Sequence, residues 1–234
     1  MSSAGHPEEH HRQISGGWIR AAIFGVSDGL VTNISFLLGF AGADPAHDVV
    51  RLAGLATLVA GGFSMGTGEY LSMRAQKELF EYEIDVERRA LAESPEAERQ
   101  ELRDLFVSRG IDATLAERLS VDLMRDPDMA LSTHAREELG VDPTATGKPL
   151  AAAFSSLGSF AVGAFIPLIP WLWGTSGNPI LWSVVFAAVG SIVVGGAIGN
   201  MTRRGTWRWA ARQLVITAIA AGVTYGVGRA VGTR

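Results

Sequence analysis

Long apolar stretches separated by short polar segments dominate the chain. Three of them, residues 150–173, 180–201 and 213–228, contain no charged side chain. Two earlier stretches, residues 18–41 and 52–73, are apolar apart from a few charged positions. About 20 consecutive apolar residues in a helix are long enough to cross a bilayer. The pattern therefore predicts five membrane-spanning helices.

The segment between the second and third of these spans is polar and also helical in pattern. No glycine or proline interrupts residues 74–92, so the second span should continue as one long helix. One of the short helices that follow would carry Leu115, Leu119, Leu123 and Met124 on one face. Capping and breaking residues mark the ends of these short helices: Ser94, Pro95, Gly110, Asp112, Asp126, Pro127 and Gly140.

The sequence thus predicts an all-α membrane protein of five transmembrane helices, with a small cytoplasmic helical module between the second and third. Four parts follow from this pattern: a cytoplasmic tail at 1–17, the first two spans at 18–73, the helical module at 74–143, and the last three spans at 149–232.

The distribution of charge supports this division. Of the 24 acids and 20 bases, residues 74–143 hold 18 acids and 10 bases, whereas residues 149–202 hold none. A soluble domain does not keep so long a charge-free stretch, because its outer faces must contact water. The absence of cysteine excludes thiolate metal sites and cysteine nucleophiles. A net charge of −4 argues against nucleic acid as a partner.

The loop at 202–212 indicates the orientation of the chain in the membrane. It carries four arginines, whereas the loops at 42–50 and 174–179 carry no arginine or lysine. The positive-inside rule places the arginine-rich loop in the cytoplasm. The N-terminus and the module at 74–143 are then cytoplasmic, and the C-terminus is outside. The polar N-terminal stretch lacks the apolar core of a signal peptide, and we expect a bacterial plasma membrane rather than a vacuole.

Two acids lie inside predicted spans. Asp28 and Glu69 would each be unfavourable as a charged group in hydrocarbon, and such acids usually face a cavity and handle an ion or a proton. Met65 lies one helical turn before Glu69, and a thioether beside carboxylates suits Fe²⁺ better than Mg²⁺ or Ca²⁺. The alternative for Glu69 is that it reaches the membrane interface.

The module offers metal ligands at helical spacing. Carboxylates with one imidazole can hold divalent iron, manganese or zinc at an interface between helices. The alternative is an acidic face in contact with water. The candidate pairs are Glu83/Glu87, Glu98/Glu101 and His134/Glu138.

Glycine pairs four residues apart recur in the spans and allow close approach of a neighbouring helix. That neighbour could belong to the same subunit or to a second one. The pairs are Gly25/Gly29, Gly62/Gly66, Gly195/Gly199 and Gly222/Gly226.

With these residues in view, the chain resembles the vacuolar iron transporter family, in a bacterial-type form. Three stretches carry the resemblance: residues 17–33 (GWIRAAIFGVSDGLVTN), 65–72 (MGTGEYLS) and 134–140 (HAREELG). The resemblance implies a homodimer that exchanges cytoplasmic Fe²⁺ for protons. It also implies a translocation path at the dimer interface, lined by the first two spans, in which Asp28, Met65 and Glu69 match path residues.

The resemblance assigns metal-gathering positions in the module to Glu87, Glu98, Glu101 and Glu138. Two positions depart from the family pattern. Ala90 stands near an expected glutamate, and His134 stands where some members have methionine.

The predicted function is therefore proton-coupled export of divalent iron, with Mn²⁺, Co²⁺ and Zn²⁺ as further candidate ions and no resident cofactor. One alternative is a manganese exporter that uses the same ligands. Another is a membrane-anchored module that buffers or senses metal without any flux. An enzyme is not expected, because no nucleophile motif, phosphate loop or histidine-rich site is present.

Overall fold

A computed structural model describes residues 17–138, 140, 147–173, 177–203 and 205–232, with side chains from residue 22 onward. The predicted tail lies outside these residues up to position 16. The described residues form eight α-helices: α1 Gly17–Gly42, α2 His47–Glu93, α3 Pro95–Ser108, α4 Ala113–Leu123, α5 Pro127–Glu137, α6 Pro149–Leu172, α7 Pro179–Met201 and α8 Thr206–Gly232.

Five of these helices are long and apolar enough to cross a membrane, namely α1, α2, α6, α7 and α8. The all-α prediction with five spans is confirmed. The second span does continue without interruption, since α2 is a single helix of 47 residues. The chain divides into two compact units, residues 71–148 and the remainder, and α2 contributes to both.

In the membrane unit, glycines bring α1 against α6. A Cβ atom built on Gly29 would lie 2.1 Å from the carbonyl oxygen of Phe160, and one on Gly25 would lie 2.1 Å from Oγ of Ser159. Asn33, one helical turn after Gly29, is fully buried and donates from Nδ2 to the carbonyl oxygen of Ala164. The close contact of α1 and α6 therefore requires glycine, which has no side chain, at these two positions.

Two further glycine pairs also pack within the chain. Gly62 and Gly66 face Leu157 of α6, and Gly195 and Gly199 face the start of α8. Around the fourth pair, Gly222/Gly226, no atom of the described residues lies within 4 Å of an added Cβ. Three of the four pairs thus contact helices of the same chain.

A buried serine connects α6 and α7. The Oγ of Ser183 donates to the carbonyl oxygen of Pro167 at 2.7 Å and accepts from Nε1 of Trp171 at 2.9 Å. Pro167 and Pro170 lie inside α6 and have no backbone N–H to donate. Ser183 therefore links α6 to α7 beside these two prolines.

The unit of residues 71–148 is built from short helices with side-chain caps. The carboxylates of Asp112 and Asp126 accept hydrogen bonds from the first backbone amides of α4 and α5, as the sequence predicts. For Ser94 the predicted position is right, because α3 begins at the next residue, but the predicted capping hydrogen bond is wrong, because the Ser94 side chain does not form one. α4 ends at Leu123 and α5 at Glu137, two to three residues before the ends that the sequence predicts at about Arg125 and Gly140.

A small apolar core joins α3 to α4. Leu102 and Phe106 of α3 pack with Ala116 of α4. The predicted apolar face of α4 is partly wrong, because Leu115 is 59% exposed while Ala116 is fully buried. The face that packs is therefore rotated by about one residue from the one that the leucines indicate, because the small Ala116 allows α4 to approach α3.

Candidate metal site

His134 is the centre of a cluster of carboxylates in the unit of residues 71–148. It lies in the last turn of α5 and its side chain is fully buried. Its Nδ1 atom is 2.8 Å from Oε1 of Glu138, 3.1 Å from Oε1 of Glu87 and 3.9 Å from Oε2 of Glu98. Ligand candidates from α2, α3 and the end of α5 therefore meet at one imidazole.

Each carboxylate reaches the cluster from a different position in the fold. Glu87 belongs to α2 beyond its apolar part, Glu98 lies in the first turn of α3, and Glu138 follows the last residue of α5. Glu101 lies one turn after Glu98 on α3 and is exposed, yet its charge acts on both Glu87 and Glu98. The side chains of Glu87, Glu98 and Glu138 are only 12%, 13% and 20% exposed.

An ion pair that the sequence analysis missed holds the end of α5. The guanidinium of Arg109, just after α3, pairs with the carboxylate of Glu137 and donates from Nη2 to its backbone carbonyl at 2.9 Å. The last carbonyls of a helix have no partner within the helix, so this bond also caps α5. The residue before Glu138 is thereby fixed against α3. No sequence signal connects the two positions, which are 28 residues apart.

The electrostatics of the cluster favour proton retention when no cation is bound. Burial raises the pKa of Glu87, and the charge of Glu138 raises it further, against a lowering by His134. Burial and the charge of Glu101 raise the pKa of Glu98. Burial alone would lower the pKa of His134, but its hydrogen bond with Glu138 and the surrounding carboxylates raise it overall.

Two buried atoms of the cluster lack a hydrogen-bond partner among the described residues. They are Oε1 of Glu87 and Nε2 of His134. The 2.8 Å contact between Nδ1 and Oε1 of Glu138 is a hydrogen bond, whereas Oε1 of Glu87, at 3.1 Å from the same nitrogen, has no hydrogen-bond partner among the described residues. A buried oxygen in this condition is an unsatisfied acceptor, which a cation would satisfy.

The donor set fits a divalent transition metal. One ligand atom each from Glu87, His134 and Glu138 lie within 4.8 Å of one another. Two ligands at about 2.1 Å from one ion are at most about 4.2 Å apart, so a small movement of the carboxylates would close the site. Two oxygens and one imidazole nitrogen suit Fe²⁺, Mn²⁺, Co²⁺ and Zn²⁺ better than Mg²⁺ or Ca²⁺.

The three predicted path residues lie in the membrane unit. Asp28 is half-buried on α1, where Thr32 donates to its Oδ1 at 3.4 Å. Met65 and Glu69 are half-buried on α2, one turn apart. Their role in a path stays a prediction.

Comparison with known proteins shows which protein family the chain is similar to. The sequence model of the VIT family matches residues 19–229. Vacuolar iron transporter 1 of Oryza sativa subsp. japonica is 30% identical over 230 residues, which are 98% of this chain and 90% of that protein. The vacuolar iron transporter of Acanthamoeba castellanii is 32% identical over 227 residues, 94% of this chain and 82% of that protein. Vacuolar iron transporter 1 of Arabidopsis thaliana is 29% identical over 227 residues, with 97% and 90% covered.

Proposed function

The chain belongs to the VIT family, and we propose that it exports Fe²⁺ from the cytoplasm across a membrane in exchange for protons. Its relatives are named as vacuolar iron transporters, and their similarity covers nearly the whole length of this chain. Membership of a transporter family agrees with the expectation that the chain is not an enzyme.

The observation that carries the proposal is the buried imidazole among carboxylates. Glu87, His134 and Glu138 offer two oxygens and a nitrogen at one point, and Oε1 of Glu87 has no hydrogen-bond donor there. Such a site captures a divalent metal reversibly, since it lacks the thiolates that bind transition metals most tightly. We propose residues 74–143 as a cytoplasmic metal-binding module whose net charge of −8 raises the local concentration of cations.

We assign the membrane path to the acids of the first two spans. Met65 and Glu69 would receive the ion and Asp28 would pass it on, because half-buried carboxylates in a span bind cations when ionised. Protonation from the outer side would then release the metal, since a carboxylate is a ligand only without its proton. Each transported ion is thereby coupled to protons moving the opposite way.

We further propose that two copies assemble around this path. Leu52, Val59 and Phe63 are 68%, 54% and 65% exposed on α2, so an apolar face of this helix is free to contact lipid or a second copy. A partner there would enclose the carboxylates of the first two spans between subunits.

Transport by purified protein in proteoliposomes tests the proposal. We expect Fe²⁺ entry to be accompanied by proton movement in the opposite direction, and Asp28→Asn to abolish both. Asp48→Asn, at an exposed aspartate that pairs with Arg51, is the matched control and should retain flux. Full activity of the Asp28 variant would contradict the path.

The same assay separates the alternatives. Faster flux of Mn²⁺ than of Fe²⁺ would identify a manganese exporter. Metal binding to wild-type protein without any flux would indicate a membrane-anchored buffering or sensing module.

A further inference from the structure

The connection between α7 and α8 carries arginines without acidic partners. Arg203, Arg208 and Arg212 are exposed, and within the described parts of the chain none of them forms an ion pair. The sequence adds Arg204 and contains no aspartate or glutamate from residue 143 to 234. The last three spans therefore supply no carboxylate to neutralise these charges.

The cluster lies where a membrane meets water, because it joins two helices that are each long and apolar enough to span a bilayer. Trp207, between the arginines, is 76% exposed. An exposed indole beside a span is typical of the head-group region, where its apolar ring and its N–H are both accommodated. The same level of the membrane contains the phosphates of the lipids.

Local contacts hold part of the cluster in place. The guanidinium carbon of Arg212 lies 4.8 Å from the ring centroid of Trp209, in a cation–π contact. Arg208 lies one turn before Arg212 on α8, so the two positive groups share a face and repel each other unless an anion lies between them.

The start of α8 adds a second attraction for an anion. Gly205 precedes the helix with φ of 91° and has no side chain that could cap it. The first amides of a helix have no partner within the helix and attract negative charge. Gly199 lets the backbone of Thr206 pack directly against α7, which holds these amides beside the loop.

We propose that this surface binds the phosphate of an anionic phospholipid. The guanidinium groups would pair with the phosphate oxygens, the amides at the start of α8 would donate to them, and Trp207 would lie among the head groups. The positive-inside rule, which relates these arginines to the orientation of the chain, depends only on their charges. Lipid binding also uses the exposed indole and the first amides of α8. The bound lipid would brace the α7–α8 connection against the bilayer surface.

Lipid retention measures this directly. Full-length protein is placed in nanodiscs of phosphatidylcholine and phosphatidylglycerol, and the lipids that remain on the released protein are identified by native mass spectrometry. We expect phosphatidylglycerol to be enriched over phosphatidylcholine on wild-type protein. The enrichment should fall about fivefold for each arginine removed in Arg208→Gln/Arg212→Gln.

Arg51→Gln/Arg125→Gln is the control, because it removes the same charge from two arginines that pair with Asp48 and Asp122. The control should retain the wild-type enrichment. Equal enrichment in both double variants would overturn the proposal, and so would the absence of enrichment in wild-type protein.

Hydrogen exchange of residues 206–208 gives a second measurement. These amides should exchange more slowly in phosphatidylglycerol than in phosphatidylcholine for wild-type protein, and equally in both for the Arg208/Arg212 variant. Equal protection by inorganic phosphate in phosphatidylcholine nanodiscs would identify a soluble anion as the ligand and overturn the lipid assignment.

Discussion

Replacing Glu87 by glutamine keeps the shape of the side chain and removes its charge. We expect two changes of opposite sign: greater stability of the metal-free module and weaker metal binding. The first follows because burial and the charge of Glu138 raise the pKa of Glu87, so that its ionised form is disfavoured in the folded chain. The second follows because the lost charge belonged to a proposed ligand.

The separation of the carboxylates sets the size of the effect. Ligand atoms of Glu87 and Glu138 lie within 4.8 Å, where two unit charges repel by about 3.5 kcal/mol at an effective dielectric constant of about 20. His134, at 3.1 Å from Glu87, offsets much of this repulsion, and partial exposure screens the remainder. We expect a net stabilisation of about 1–2 kcal/mol above the pH at which Glu87 ionises, a factor of about 5–30 in local opening. Metal affinity should fall by at least about 10–100-fold, the loss that follows even when only a ligand's hydrogen-bond partner is removed.

Hydrogen exchange of full-length protein in detergent, with metal chelated, measures local opening. All six tryptophans lie outside residues 71–148, so intrinsic tryptophan fluorescence would not report on the module. Amides of α5 should exchange about 5–30-fold more slowly in the variant, with amides of α6 as the internal reference. Metal affinity is obtained from titrations with Mn²⁺ and Co²⁺.

Glu83→Gln is the matched control, since Glu83 lies one turn earlier on α2 and outside the set of converging ligand atoms. It should change neither quantity appreciably. Faster exchange in metal-free Glu87→Gln would show that the charge of Glu87 stabilises the fold, and the electrostatic reasoning would be refuted. Unchanged metal affinity would remove Glu87 from the site.

Three further outcomes are expected. The pKa values of Glu87 and Glu98 are raised from 4.5, and that of His134 is raised from 6.5. The contribution of these groups to the stability of the folded module is therefore present in acid and is lost as the pH rises through the raised values. After division by the intrinsic exchange rate at each pH, the amides of α5 in metal-free protein should be less protected at about pH 8 than at about pH 5, and equal protection at both would contradict this. Gly29→Ala should destabilise the protein by about 1–3 kcal/mol in thermal unfolding, because its Cβ would meet a backbone oxygen of α6 at 2.1 Å, whereas Gly222→Ala should be neutral or stabilising by up to about 1 kcal/mol. Arg109→Ala should weaken metal binding by freeing Glu137 from α3, Arg109→Lys should restore part of it, and equal affinity in all three proteins would exclude a positioning role.

The spans and most helix ends could be predicted because they depend on local chemistry. Charge-free stretches identify α6, α7 and α8, and the caps Asp112 and Asp126 mark helix starts within a few residues of their own position. Exact packing faces depend on tertiary contacts instead. Leu115 is exposed because the small Ala116 allows α4 to approach α3 more closely on another side.

The candidate site was predictable as a set of residues but not as an arrangement. Helical spacing places His134 and Glu138 on one face, and the same spacing marks many other acids of the module. The family resemblance already names Glu87 and Glu98, but only the fold shows that these two groups, on two other helices, meet the imidazole. Spacing along a helix carries no information about which faces of different helices meet, and this is also why Arg109 was missed.

The serine that joins α6 to α7 bears on how the chain enters the membrane during synthesis. The indole N–H of Trp171 and the carbonyl of Pro167 have Ser183 as their partner in the neighbouring helix. Without α7 the indole N–H would lack this acceptor, and a polar group left unsatisfied in hydrocarbon costs several kcal/mol, so α6 alone is a poor substrate for release into lipid. The two helices should therefore leave the insertion machinery together, as a hairpin whose polar contact has already formed.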